Sequence, residues 1–229
     1  MSSQVAHSGG RHSVPVDRKS NSVPVDRKSN GKTVWLVRHG ESTWNVLGLV
    51  QGHADEAVLT RQGRRQAQLL AHRLGGRTFD AVYTSDLRRA RETAAIVAKS
   101  LGLQAQPHAD LRERCLGELE GSPVSELRPE ATGITGDQVV DVHARPAGGE
   151  SLGELYRRAG GFVEWLRQQP LGSDTLVIAH GGTVRMLRAY CAGRPAQDMA
   201  WDMVPNGSLW RVQVPSHHAT AGPTPVRAM

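Results

Sequence analysis

Arg38, His39 and Gly40 follow directly on a short β-branched run, Thr33-Val34-Trp35-Leu36-Val37, and open the string RHGESTWN over 38–45. The run predicts a buried strand, so an arginine, an imidazole and a flexible turn fall together at its carboxyl end. In open α/β sheets the loops there stand on a rigid base, face solvent and collect ligands. An anion site with a nucleophile or base beside it is the chemistry that such a pair can do. A second apolar run, Thr175-Leu176-Val177-Ile178-Ala179, also ends in a histidine, as His180-Gly181-Gly182. If both strands are central and parallel, two imidazoles far apart in the chain face one site. Glycines at the opening of a helix let backbone N–H groups point at a bound anion, which the helix dipole also favours. A third strand, 79–84, leads through Thr84-Ser85 to a helix whose first turns hold Arg88, Arg89 and Arg91. Positive charge is thereby delivered from three directions.

The elements that must position these groups alternate between strand and helix patterns. Strands are predicted at 33–38, 79–84, 175–179 and 208–214, with a weaker one near 103–106. Thr60 is placed to cap a helix reaching Leu74, with Ala67, Leu70, Ala71 and Leu74 on one face. Ser85 or Asp86 is the expected cap of the next, which keeps three-and-four apolar spacing to Leu101 before Gly102. Ser151 and Glu154 form a capping-box pattern ahead of Leu152, Leu155, Ala159, Phe162 and Leu166. Gly160-Gly161 weakens that helix by about 1 kcal/mol per glycine relative to alanine. A fourth helix runs from about Gly182 to Cys191 and stops at Gly193-Arg194-Pro195. The alternation predicts an α/β fold, a three-layer sandwich with a mostly parallel central sheet and helices on both faces.

The 229 residues, 38% of them apolar, suit one domain, and no apolar run approaches the roughly 18 to 20 residues needed to cross a bilayer. The first 32 residues hold no apolar leader. Cys115 and Cys191 form no CxxC and suggest neither a disulfide framework nor a metal site, so the cytoplasm is the expected compartment. A net charge of +6 raises the question of nucleic acid. Much of it sits at the start of the chain, where Arg11, Arg18, Lys19, Arg27, Lys28 and Lys32 face only Asp17 and Asp26. That segment repeats SVPVDRKSN in tandem over 13–21 and 22–30, with no aromatic residue to stack on bases. A disordered basic tail is expected over 1–31, a catalytic domain over 32–214 and a second disordered tail over 215–229. The partner expected is a small anion, with neither nucleic acid nor membrane.

With these residues in view, the chain resembles the histidine phosphatase superfamily, in the branch of cofactor-dependent phosphoglycerate mutases and many small phosphatases. The resemblance rests on five blocks in family order: RHGESTWN, LTRQGRRQA at 59–67, Ser85 to Ala94, Leu111 to Gly121, and His180 to Gly182. It implies that His39 attacks phosphorus to give a phosphohistidine, and that Glu113 is the acid that serves the leaving alcohol and then water. It places the phosphate-binding arginine on Arg89, joined by Arg38, His180, the Gly181 N–H and the Asn45 side chain. His39 must be neutral to attack, with a backbone carbonyl in the Gly40 turn expected to fix its tautomer. The scheme requires no metal and no cofactor. His53 and Arg114 are candidates for substrate specificity, Arg114 as the grip on a second anion; Arg112, Arg128 and Arg145 are further ones.

Two features favour a phosphatase over a mutase. The chain after Asn45 reads Leu49-Val50-Gln51-Gly52-His53, as in the phosphatases, and the stretch from Gly121 to Ser151 is short and lacks the paired arginines of a mutase lid. A sugar phosphate or a phosphoglycerate-like ester suits the basic pocket. The alternatives are a phosphoglycerate mutase and a noncatalytic protein that binds phosphorylated ligands. Oligomeric state is not legible in one chain.

Overall fold

The structure, a computed structural model, describes residues 32–170, 172 and 174–214. The tails expected over 1–31 and 215–229 lie outside the described residues. In chain order the elements are β1 (Thr33–Arg38), α1 (Thr43–Leu47), α2 (Arg61–Leu74), β2 (Ala81–Thr84), α3 (Arg88–Ser100) and β3 (Ala105–Pro107). There follow α4 (Pro129–Thr132), a two-residue hairpin of β4 (Ile134–Thr135) and β5 (Gln138–Val139), α5 (Leu152–Gln168), β6 (Asp174–Ala179), α6 (Gly181–Cys191) and β7 (Leu209–Gln213). The main sheet has the order β3-β2-β6-β1-β7, parallel except for β7, which runs against β1.

The three central strands, β1, β2 and β6, are buried on both faces, which is why they read as near-continuous apolar runs. Val34, Leu36, Ala81, Tyr83, Val177 and Ala179 pack on one side with α5 and α6. Val37, Val82, Leu176 and Ile178 pack on the other with α2 and α3. This period-two division produces the expected three layers. No helix of the described residues is long and apolar enough to cross a membrane.

The chain leaves β1 for α2 on one face and leaves β6 for α6 on the other. The carboxyl ends of these neighbouring strands therefore mark a switch point, where a crevice opens between diverging connections. The site is built there.

Local signals explain most boundaries. Thr60 Oγ1 accepts the Gly63 N–H at 3.0 Å, and Ser151 and Glu154 close the reciprocal box. The helix after β2 departs from expectation: it starts at Arg88, with Leu87 in the cap position and no side-chain cap. Ser85 Oγ does accept the Leu87 N–H at 3.2 Å, ahead of the first helical residue, because the serine is held at the sheet end beside His180. Helix α5 runs unbroken through Gly160, where an added Cβ would meet Tyr190 Cε2 at 2.4 Å. The close approach of α6 offsets the weak helix propensity there.

Candidate active site

The register of β1 on β6 ends with Arg38 opposite Ala179, so His39 and His180 emerge side by side. The His39 N–H donates to the Ala179 carbonyl at 2.9 Å, and the ring centroids are 5.1 Å apart. On the far side of β6, the Ser85 N–H donates to Ile178 O at 2.9 Å, which brings Ser85 Oγ to 2.8 Å from His180 Nε2.

His39 Nδ1 is 2.7 Å from the Gly40 carbonyl, to which only an N–H can bond. The proton is therefore on Nδ1, and Nε2 carries the free lone pair. The turn is fixed in its place: Gly40 N–H donates to Thr93 Oγ1 at 3.1 Å and Asn206 Nδ2 donates to His39 O at 3.1 Å. Only glycine fits at Gly40, since an added Cβ would stand 2.4 Å from the Gly63 carbonyl at the start of α2. Burial, then the positive charges of Arg89 and Arg38, hold the His39 pKa well below its usual value. Burial and Arg89 do the same to His180. Both rings are neutral at neutral pH.

Arg89 is 1% exposed and anchored from behind, Nη2 donating to Gly52 O and Nη1 to Ala54 O, each at 2.8 Å. Burial lowers its pKa to about 10, so it stays charged. Arg38 donates from Nη1 to the Val204 carbonyl. Among the described residues, four buried side-chain polar atoms lack a partner: Arg38 Nε, Arg89 Nε, His180 Nδ1 and Thr175 Oγ1. Folded proteins pair nearly all such atoms. Three of these four belong to the residues around His39, which is the pattern of a site made to receive an anion.

Glu113 closes the site from the side of α6. Its Oε2 accepts the Gly182 N–H and its Oε1 the Arg114 N–H, both at 2.9 Å. Its carbonyl accepts His53 Nε2–H at 2.8 Å and Arg158 Nη2–H at 3.0 Å. A Cβ on residue 182 would fall 2.4 Å from Glu113 Oε1, so the second glycine after His180 makes room for the carboxylate.

Comparison with known proteins identifies the family. The family model for the histidine phosphatase superfamily (branch 1) matches residues 34–221. The chain belongs to that superfamily. A phosphoglycerate mutase-like protein 4 of Arabidopsis thaliana is 38% identical over 177 residues, covering 72% of this chain and 76% of the relative. Among solved structures, Bacillus stearothermophilus YhfR superposes with a TM-score of 0.71 at 30% identity, covering 82% of this chain and 93% of that one. A mycobacterial glucosyl-3-phosphoglycerate phosphatase in complex with VO3 superposes with a TM-score of 0.68 at 29% identity, covering 79% and 92%.

Of the residues that the sequence singled out in this member of the superfamily, His39, His180, Arg38, Arg89, Glu113 and Gly181 come together. Gly181 is the first residue of α6, and an added Cβ there would lie 3.7 Å from Arg38 Nε. His53 lies beside Glu113 with one ring nitrogen committed to its carbonyl. Asn45 serves the capping box of α1: its Oδ1 accepts from Ser42 N at 3.1 Å and from Asn206 Nδ2 at 3.1 Å.

Arg114 corrects the expectation. It is 4% exposed, with Nε on Glu150 O at 2.7 Å, Nη1 on Thr132 O at 2.6 Å and Nη2 on Ala144 O at 2.9 Å. It fastens the 132–150 segment with all three guanidinium nitrogens on backbone carbonyls, to which burial leaves no water to bond. Arg112 is likewise occupied, in a two-point bridge to Asp86 at 2.7 and 2.6 Å.

Sequence reasoning missed Ser85 as the partner of His180, Arg158 as a brace of the Glu113 loop, and the 199–206 segment that supplies Val204 O and Asn206. Only Asn206-Gly207 carried a signal, as a turn dipeptide.

Proposed function

We propose that the chain is a phosphomonoesterase of small phosphorylated metabolites, working through a phosphohistidine on His39. The observation that carries this is the set of three unpartnered buried nitrogens beside a neutral imidazole with its Nε2 lone pair free. In this reading the Ser85 hydroxyl, 2.8 Å from His180 Nε2, donates to it, and Nδ1–H of the neutral ring is then the donor to the phosphoryl group. Arg38 Nε, Arg89 Nε, His180 Nδ1 and the Gly181 N–H then hold the phosphoryl oxygens, with the Asn45 amide assisting.

His39 Nε2 attacks phosphorus and the bond to the ester oxygen breaks, while protonated Glu113 gives its proton to the leaving alcohol. Water then attacks the phosphohistidine, Glu113 takes a proton from it, and the N–P bond breaks to release phosphate and restore His39. Hydrolysis is favoured over transfer to a second substrate site because Arg114, the residue expected to grip a second anion in a mutase, is spent on carbonyls. The phosphatase among the similar structures supports the same reading. A sugar phosphate or a phosphoglycerate-like ester is the substrate class.

Incubation with p-nitrophenyl phosphate tests this. Turnover by the wild type, none by His39→Ala, and a phosphoryl group trapped on residue 39 in mass spectra are expected. An enzyme that isomerises 3-phosphoglycerate only with 2,3-bisphosphoglycerate would replace the proposal with a mutase. Binding of esters without turnover would replace it with a noncatalytic receptor. A panel of phosphate monoesters ranked by kcat/KM then selects the alcohol.

A further inference from the structure

Of the five motif blocks, LTRQGRRQA over 59–67 is the one that the mechanism leaves unused. It opens α2, and its contacts converge on the two residues that follow His39. Gly63 lies against both: a Cβ on Gly40 would strike the Gly63 carbonyl, and a Cβ on Gly63 would strike the Glu41 carbonyl. The Thr60 N–H donates to Glu41 O at 2.9 Å. One turn along α2 from Gly63, Gln66 Oε1 accepts the Glu41 N–H at 2.8 Å. A backbone N–H can only donate, so the atom that meets it is the amide oxygen of Gln66.

The Glu41 N–H and the Gly40 carbonyl belong to one peptide unit. That unit is planar and trans, so its N–H and C=O point in opposite directions and fixing one fixes the other. The Gly40 carbonyl is the acceptor 2.7 Å from His39 Nδ1, which keeps the ring proton there and the lone pair on Nε2. Gln66 therefore holds, from behind, the carbonyl that selects the tautomer of His39. The preceding peptide unit is held by other side chains, its N–H by Thr93 Oγ1 and its C=O by Asn206 Nδ2.

We propose that Gln66 is a positioning residue that, through the Gly40–Glu41 peptide, keeps His39 in the tautomer able to attack phosphorus. The proposal rests on the phosphomonoesterase reading of the site. Without its acceptor the peptide is free to turn and its carbonyl leaves Nδ1. The neutral ring then also carries its proton on Nε2, where no lone pair remains to attack. Arg38, Arg89 and His180 make no hydrogen bond to Gln66, so the cost falls on the chemical step and not on binding.

Two variants of similar length test this. Gln66→Met removes the acceptor, and Gln66→Glu keeps an oxygen in its place. With p-nitrophenyl phosphate, Gln66→Met is expected to lower kcat about tenfold with KM within about twofold, and Gln66→Glu to restore most of the rate. Proton–nitrogen correlation spectra of the imidazole rings in the full chain read the tautomer directly. The His39 proton should sit on Nδ1 in wild type and Gln66→Glu, and be shared between both nitrogens in Gln66→Met. A Gln66→Met chain whose His39 keeps the Nδ1 proton would overturn the proposal, whatever its activity, because the side chain would then serve the fold alone. Should that variant not fold, Gln66→Glu decides: its Glu41 amide proton should move downfield as the acceptor gains charge, and an unmoved resonance would overturn the proposal as well. Wild type inert toward p-nitrophenyl phosphate would remove the hydrolase reading alone, because the spectra still judge Gln66.

Discussion

Arg89 and Arg114 are both buried arginines, at 1% and 4% exposure, and they use their donors in opposite ways. Arg89 ties two nitrogens to the 52–54 loop and leaves Nε unpartnered. Arg114 spends Nε and both Nη nitrogens on the carbonyls of Glu150, Thr132 and Ala144. The same division separates two regions. At the sheet end, Arg38 repeats the pattern of Arg89, with one donor anchored and Nε open. In the 110–150 segment, Arg158 repeats the pattern of Arg114, donating to the carbonyls of Asp110, Arg112 and Glu113 and to the Glu150 carboxylate. A saturated buried arginine holds the fold, and one with an open donor is set to bind.

Arg114→Met tests the saturated side and should show the largest effect. Three carbonyls lose their partner in a buried setting, so the free energy of unfolding in urea should fall by about 3–5 kcal/mol. KM for p-nitrophenyl phosphate in the folded fraction should stay near the wild-type value. A variant as stable as wild type with a sharply raised KM would break the comparison and return Arg114 to the substrate. Arg38→Gln tests the open side. Loss of a charged donor to the phosphoryl group should lower kcat/KM by about 10²–10³-fold, with a stability change near 1 kcal/mol from the lost Val204 bond. Loss of stability without loss of rate would reverse the assignment.

Gly182→Ala probes the junction of the two regions, where Glu113 from the saturated segment meets α6. The added methyl would stand 2.4 Å from Glu113 Oε1 and must displace the carboxylate. An alkyl phosphate, whose leaving group needs a proton, should lose about 10–100-fold in kcat/KM. The p-nitrophenyl ester should lose far less, since p-nitrophenolate departs without one. Equal losses on both would mean that residue 182 serves the phosphoryl cradle instead of the acid.

The sheet end was largely legible and the segments that complete it were not. Strand runs ending in His39 and His180 are local patterns, and parallel pairing of two central strands brings their ends together without further information. Caps at Thr60 and Ser151 are local too, and both stand where expected. At Ser85 the same local rule failed, because a contact from another strand, His180, held the hydroxyl at the sheet end. Arg114 failed for a related reason. Sequence shows that a cation stands beside Glu113 but not which way it turns, and the carbonyls that claim it come from 18 to 36 residues away. Val204 and Asn206 contribute through backbone and as a common turn residue, identities that carry little chemical signal.

The charge left open at the sheet end also makes a prediction about pH. Burial and the charges of Arg89 and Arg38 keep His39 and His180 unprotonated in the folded chain, whereas the unfolded chain takes up protons near the ordinary value of about 6.5. The unfolded state thus binds more protons below that pH, so stability must fall as pH falls through about 6.5 and be independent of these groups above about 7.5. Each histidine contributes a slope of up to about 1.4 kcal/mol per pH unit. His39→Asn and His180→Asn should each remove one such increment from urea unfolding curves taken between pH 6.5 and 5, with carboxylate contributions cancelling in the difference. The same depression means that the acid limb of kcat/KM, which reports the free enzyme, should not fall at pH 6.5. If both variants track wild type in parallel across that range, the imidazoles titrate normally. The two open arginines would then not be directing their charge onto them.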